Sequence, residues 1–427
     1  MKTELLYGYR ALKKITSISA QQRIQSEYLK TSYRKYLFDY ASKNAAIKYL
    51  YIFELFRIFI FTTLKSRLGG NDKDLLYFAA THNQMRQIEH IKSLYLYDKD
   101  YLTLDMRTYK KFRMANLLQI PYCMRLLSVL IRYGKTLARY DNAIEMKSIV
   151  LYLCAYKYAG LFLKRHKPSA LIVANDHSPL PLGFAGAART LSIKTAYIQH
   201  AHVTPDMPAL RVDLAILDGP SARDTYAGVA DIPPQTEIVY RGLEGKERPM
   251  RLDKIDGKQQ ITAGLFVNIL DYHVLQETIS DIISHSEIEK LIIRGHPAFP
   301  IDPTKIDTGS RVSIAEAGIP LWDDAQKCDI VFGGNSGFHL LVLKFGIPCV
   351  FYDALDYINY DDYGFVHHDI VYEAKNIRTL DLNDVRRYYE GQLWPERFRY
   401  FDASYQKDIT AFNEDVRNTL NNFLTAV

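Results

Sequence analysis

CDIVFGGNSGFHLLVLKFGIPCVFYD, residues 328–353, carries the clearest architectural signal in the chain. An apolar run, CDIVF, enters Gly333-Gly334-Asn335-Ser336-Gly337. A stretch of helical character follows, and Gly346-Ile347-Pro348 stops it before a second apolar run. Strand, glycine turn, helix and strand make the βαβ unit of a parallel sheet. Glycines at the turn let a ligand approach the backbone closely. The free N–H groups and dipole of a helix start suit a phosphate, and Ser336 adds a hydroxyl donor. The competing reading is a tight turn capped by Ser or Asn, with nothing bound. The motif is neither a Walker loop, since no G-K-[ST] follows, nor G-x-G-x-x-G.

Working outward, the same texture recurs. ITAGLFVN (261–268), KLIIRGHP (290–297) and VSIAEAG (312–318) precede the motif, with a helix through about Ser284. Earlier come ALIVAND (170–176), TAYIQH (195–200), DLAILDG (213–219) and EIVYRG (237–242). Each is a short apolar run without alternation, ending in polar residues or glycine. That is the pattern of parallel strands buried on both faces, with ligands at their C-terminal ends. DLLYFAA (74–80) reads as one more strand. Residues 1–70 and 107–165 read as helices, with 146–166 a core helix, and 402–427 reads as a surface helix. The expected organisation is a helical N-terminal segment (1–70), a first Rossmann-like domain (71–248), a linker (249–259), a second Rossmann-like domain (260–400) and a C-terminal helix (401–427).

Composition agrees. At 427 residues, 48% hydrophobic and 24% charged, the chain is neither disordered nor collagen-like and has room for two or three domains. Four cysteines (Cys123, Cys154, Cys328, Cys349) lie far apart with no C-x-x-C pair, which predicts reduced core residues and no zinc site. The net charge of +6 is uneven: residues 1–70 carry +9 and the remainder −3. This excludes a general nucleic-acid binder and predicts a local meeting with an anionic partner. The first residues lack the apolar core and cleavage site of a signal peptide. Tyr49–Leu64 is too short and, with Glu54 and Arg57, too charged to span a bilayer. It reads as a buried or an interfacial helix.

Several strand ends carry chemistry. Arg294-Gly295-His296-Pro297 sets a guanidinium and an imidazole at one strand end, a natural phosphate clamp; the alternative is a histidine satisfied by backbone. Glu316, at the next strand end, suits a ribose or base, or a plain turn. Asp176, in Asn175-Asp176-His177-Ser178, is a candidate general base or nucleophile, or else a helix N-cap. Gln199-His200-Ala201-His202 offers a histidine to orient a substrate; H-x-H alone makes a poor metal site. Asp218-Gly219-Pro220-Ser221 and Thr81-His82-Asn83-Gln84 occupy analogous ends.

This order of motifs over residues 170–355 resembles the GT-B glycosyltransferases of bacterial capsule and lipopolysaccharide assembly. Among them it looks most like the CMP-sugar users, the Kdo transferases and sialyltransferases, whose His-Pro and serine motifs match His296-Pro297 and Ser336. Sialyltransferases carry an acidic pair before glycine and often two adjacent Ser/Thr; here Asn-Asp-His-Ser and Asn335-Ser336 stand instead, which points to the Kdo type. The resemblance implies an α/β fold of two Rossmann-like domains facing a cleft. It implies a nucleotide-sugar donor held by Arg294, His296, Pro297, Glu316, Gly334, Asn335, Ser336 and Gly337. It puts Asp176 and His200 at the reacting centre, and His82, Asn83, His177 and Gln199 toward a glycan or glycolipid acceptor. No cofactor or metal is implied, and the protein is expected in the cytoplasm, peripheral on the inner membrane face through residues 1–70. CDP-glycerol-type polyol-phosphate transferases share the His-Pro and serine motifs. A non-catalytic nucleotide-sugar-binding protein and an epimerase of the same fold are further alternatives.

Overall fold

The computed structural model describes residues 2–25, 63–67, 75–96, 101–105, 143–256, 259–268, 271–296, 300–316, 318–355 and 361–425. The first sheet contains β1 (Thr63–Arg67), β2 (Leu75–Ala79), β3 (Tyr101–Asp105), β4 (Ala170–Val173), β5 (Lys194–Ile198), β6 (Leu214–Leu217) and β7 (Glu237–Tyr240). Their order is β1-β3-β2-β4-β5-β6-β7, parallel throughout except for β1, which pairs antiparallel with β3. The second sheet contains β8 (Ile261–Val267), β9 (Ile288–Gly295), β10 (Val312–Ile314), β11 (Ile330–Gly333), β12 (Cys349–Phe351) and β13 (Tyr372–Glu373). It runs β10-β9-β8-β11-β12-β13, parallel throughout. Strand order reverses at β2 in the first sheet and at β8 in the second, which opens a crevice at each C-terminal edge.

Helices cover both faces. They are α1 (Lys2–Gln25), α2 (His82–Tyr95), α3 (Ala143–His166), α4 (Pro179–Thr190), α5 (Pro220–Val229), α6 (Tyr272–Ile283), α7 (Leu321–Ala325), α8 (Phe338–Lys344), α9 (Leu382–Tyr389), α10 (Trp394–Phe401) and α11 (Ile409–Thr425). The unalternating strands explain themselves here. Leu76 and Phe78 of β2 join the core beneath α3, α4 and α5, while Leu75, Tyr77 and Ala79 join the core beneath α2 and α11. A strand buried on both faces has no polar side to show.

One expectation is corrected, and two segments find their packing. Residues 63–67 form the edge strand β1 rather than helix, and β3 is a strand the apolar pattern did not disclose. The surface helix α11 buries Val416, Leu420 and Phe423 against the first sheet, although it follows the second. Within the stretch 249–259, read as a linker, Arg251 N donates to Gly346 O at 2.7 Å, and Ile255 is fully buried in the second core. Of the apolar stretch at Tyr49–Leu64, residues 49–62 lie outside the described residues, and Thr63-Leu64 begin β1. No helix among the described residues is long and apolar enough to cross a membrane. Cys154, Cys328 and Cys349 are free and buried, while Cys123 lies outside the described residues.

The chain crosses between layers just after β7 and returns after α10. Lys344 at the end of α8 ties the two crossings together. It donates to Leu243 O (2.7 Å) and pairs with the buried carboxylate of Asp402 (2.8 Å). Asp402 accepts from Leu243 N at 3.0 Å, and Ala403 N donates to Asp218 O at 3.0 Å. Gly242 (φ +72°) makes the bend, and a Cβ there would lie 2.2 Å from Ser404 Oγ.

Candidate active site

A cavity of about 430 Å³ lies at the C-terminal edge of the second sheet, at its switch point. Asn268 follows β8, Arg294 and His296 end β9, Trp322 comes from α7, and Ser336 precedes α8. Phe266, Phe338 and Leu341 supply apolar wall, and Arg86 of α2 reaches it from the first layer. The site therefore spans the cleft.

The glycine turn is held from both sides. Asn268 Nδ2 donates to Asn335 O at 3.0 Å. His339 Nε2 meets Gly334 O at 2.8 Å, and burial pushes this imidazole down to about 4, so it stays neutral. Gly333 is glycine for packing: a Cβ would lie 2.3 Å from the Phe338 ring. Over Gly337 no atom lies within 4 Å of where a Cβ would stand, so its backbone is open to approach.

The expected phosphate clamp is rearranged. Arg294 gives one guanidinium nitrogen to the buried carboxylate of Asp324 and another to Ile319 O (2.7 Å), and Lys327 also pairs with Asp324 at 2.9 Å. Arg294 thus braces the wall, its charge matched by a carboxylate. His296 lines the cavity with its side chain exposed, and partial desolvation there lowers its pKa. Pro297 lies outside the described residues, and Glu316 is exposed and does not line the cavity.

At the first sheet's C-terminal edge a second cluster forms. Asn175 Oδ1 accepts from His177 N (3.0 Å) and Ser178 N (2.6 Å), and α4 begins at Pro179 with Ser178 in the N-cap position. Asn175, not Asp176, therefore holds the turn, and Asp176 has no capping role. Tyr226 donates to Asp176 Oδ2 at 2.5 Å, and His177 Nδ1 lies 3.1 Å from Oδ1. Burial pushes this carboxyl up. The His177 hydrogen bond and charge, the Tyr226 hydroxyl and His200 together outweigh that and hold it below its usual value.

Asn175 Nδ2 lies 3.3 Å from Nε2 of both His177 and His200, whose rings stack 5.5 Å apart. An amide NH₂ can donate to both. Each Nε2 is then an acceptor, and His177 points its Nδ1–H at Asp176. His200 is pushed down to about 4 by burial, then by the charge of His177, and its buried Nδ1 has no partner. Asn83 joins this cluster, its Nδ2 donating to His200 O at 3.2 Å, while His82 is exposed beside it. Gln199 is committed to the sheet: its side chain accepts from Asp218 N at 2.9 Å, and its carbonyl accepts from Arg241 at 2.7 Å. His202 sits apart, packed among Tyr363, Phe365 and Phe401 between the layers.

Arg86, Asn268, Trp322 and Tyr226 join these sites without having stood out in the sequence. Arg86 had a signal. Thr81-x-x-Gln84 is a capping-box pattern; Gln84 N donates to Thr81 Oγ1 (3.2 Å), while Gln84 Oε1 reaches back one residue past the cap to accept from Ala80 N (2.8 Å). That fixes the start of α2 and puts residue 86 near the strand end. Tyr226, fifty positions from Asp176, had none.

No protein-family model matches the chain. No curated protein matches it significantly. Solved structures do. An S. aureus MnaA–UDP co-structure shares 9% identity over 83% of this chain and 98% of its own, with a TM-score of 0.48. The UDP-GlcNAc 2-epimerase from Methanocaldococcus jannaschii shares 11% over 82% and 99%, at 0.47. MurG from Acinetobacter baumannii shares 14% over 63% and 78%, at 0.38. The two Rossmann-like halves stand on the chain's own sheet order.

Proposed function

We propose that the chain is a GT-B enzyme acting on a nucleotide-activated sugar, most simply a glycosyltransferase delivering it to a cell-surface polysaccharide or lipopolysaccharide acceptor. The observation that carries this is the cleft-spanning site. A cavity lined by Asn268, His296 and Ser336 at one switch point is reached by a cation from the other layer. A hydrogen-bonded carboxylate–imidazole pair stands at the other switch point.

The donor's phosphate belongs beside Ser336, His296 and the open backbone at Gly337. There hydrogen-bond donors stabilise the charge that grows on the leaving phosphate. Asp176 and His177 act as the proton-accepting pair. Asp176 fixes the Nδ1–H tautomer and supports the charge that develops when His177 Nε2, exchanging its 3.3 Å contact with Asn175 for the acceptor hydroxyl, takes that hydroxyl's proton. Both oxygens of Asp176 already receive donors, which favours this role over covalent attack on the sugar. The donor we favour is CMP-linked and of the Kdo type, on the His-Pro and serine motifs; residues 1–70 would bring the enzyme to an anionic membrane face.

Thermal shift with CMP, CDP and UDP tests the donor class, since a bound ligand raises the melting temperature with its excess over Kd. Transfer assays on Asp176→Asn test the chemistry. Asn175 holds the turn, so folding and nucleotide binding should persist while turnover falls by about 100-fold or more. Retention of over about a tenth of the wild-type rate removes the Asp176–His177 pair from the mechanism.

A further inference from the structure

We infer that Arg86 is the cation that grips the donor's phosphate across the cleft, and that it does so by leaving Glu244, a carboxylate in the crossover between the layers. The inference rests on the nucleotide reading above. Among the described residues the second layer has a single guanidinium on the cavity wall, Arg294, and Asp324 neutralises it. A phosphate held there by Ser336 and His296 alone would keep much of its charge unmatched. Arg86 lines the same cavity from the first layer, with half its side chain in solvent (52%).

The restraints on Arg86 are light. Its NH2 donates to Asn83 Oδ1 at 3.0 Å, and its Nε lies 3.6 Å from Glu244 Oε2, beyond hydrogen-bond distance. Glu244 Oε1 is buried with no hydrogen-bond partner. An ion pair without a hydrogen bond and with its cation half in solvent holds little, whereas a guanidinium on a phosphate makes charge-assisted, often bidentate bonds. Anion binding should therefore win the exchange.

Geometry gives the exchange a consequence. Arg86 moves with α2 and the phosphate sits on the second layer, so the bond links the two halves. Glu244 stands one residue beyond Leu243, where Lys344 and Asp402 fasten the crossover. Asn83 connects Arg86 to His200 O. Donor occupancy is thus felt at the cluster that handles the acceptor.

Isothermal titration with CMP, CDP and UDP, and with cytidine and uridine as phosphate-free controls, tests the inference on wild type, Arg86→Gln and Glu244→Gln. Arg86→Gln should weaken nucleotide binding by about 10- to 100-fold, the span of one lost charge-assisted contact, and leave nucleoside binding within about twofold. Glu244→Gln should tighten nucleotide binding by about two- to fivefold, because a neutral amide competes poorly for the guanidinium. Urea unfolding midpoints within error of wild type establish that both variants fold. Equal nucleotide affinity in wild type and Arg86→Gln overturns the role of Arg86 and leaves the nucleotide reading standing. Unchanged or weaker binding in Glu244→Gln overturns the exchange. A wild-type protein that binds none of the three nucleotides overturns the nucleotide reading, and the inference with it.

Discussion

Tyr226 on α5 gives its hydroxyl to Asp176 at the end of β4, 2.5 Å away and fully buried on the tyrosine side. This bond, with His177 on the other oxygen, makes Asp176 a fixed acceptor rather than a loose strand-end carboxylate. Tyr226→Phe removes the donor and leaves a buried carboxylate oxygen unmatched, a loss of about 1–3 kcal/mol. Urea unfolding should show it, and the Asp176 carboxyl should move up from its lowered position. A stability change under about 0.5 kcal/mol would show that the bond contributes nothing.

His296 and Ser336 both line the cavity of the second layer. Alanine at either should weaken nucleotide binding by about one to two decades while the fold persists. Acceptor affinity should stay put, since neither residue belongs to the Asp176 cluster. Unchanged nucleotide binding in both variants would take the phosphate out of this cavity.

Stability should fall as the solution is acidified. Burial pushes His200, His202 and His339 down to about 4, and pushes Asp218 up to about 6 against the pull of Arg241. Between about pH 6.5 and 4 the unfolded chain protonates these three histidines and the folded chain does not. Below about pH 6 Asp218 works the other way, because only the folded chain protonates it. The three histidines outweigh Asp218, so the unfolded state binds more protons and stability falls on acidification, by about 1.4 kcal/mol per pH unit for each extra proton it holds. Urea midpoints at pH 6.5, 5.5 and 4.5 measure this, and a flat profile would contradict the burial of these rings.

Lys344 and Asp402 are an ion pair almost out of solvent, at 5% and 0% exposure. Lys344→Met leaves Asp402 charged and buried at the crossing between layers. The expected loss is about 3–5 kcal/mol, read from chemical denaturation. A loss below about 1 kcal/mol would mean that water or another cation replaces the ammonium.

Residues 1–70 carry a charge of +9 beside the aromatic run Tyr49–Phe61. Each basic residue near an anionic lipid surface contributes about 1 kcal/mol. Co-sedimentation with phosphatidylserine vesicles should exceed that with neutral vesicles and should fall as salt rises. Equal pelleting with both would exclude the electrostatic contribution.

By itself the sequence determined the parallel α/β character and the positions of most strands, because burial on both faces writes unbroken apolar runs into the chain. It also placed polar residues at strand ends, where such sheets bind ligands. ALIVAND and CDIVFGGNS were legible for that reason, and Asp176, His296 and Ser336 with them. It could not show how strand-end groups are used, since that depends on partners far along the chain. Arg294 looked like a phosphate clamp until Asp324, thirty positions on, met its guanidinium. Asp176 could have been a cap until Asn175 took the turn and Tyr226 took the carboxylate. The edge strand β1 and its neighbour β3, the docking of α11 on the first sheet and the reach of Arg86 into the other layer's cavity were decided only in three dimensions. Local pattern records how much of a segment is buried; which distant charge or hydroxyl it meets there is set by packing between layers.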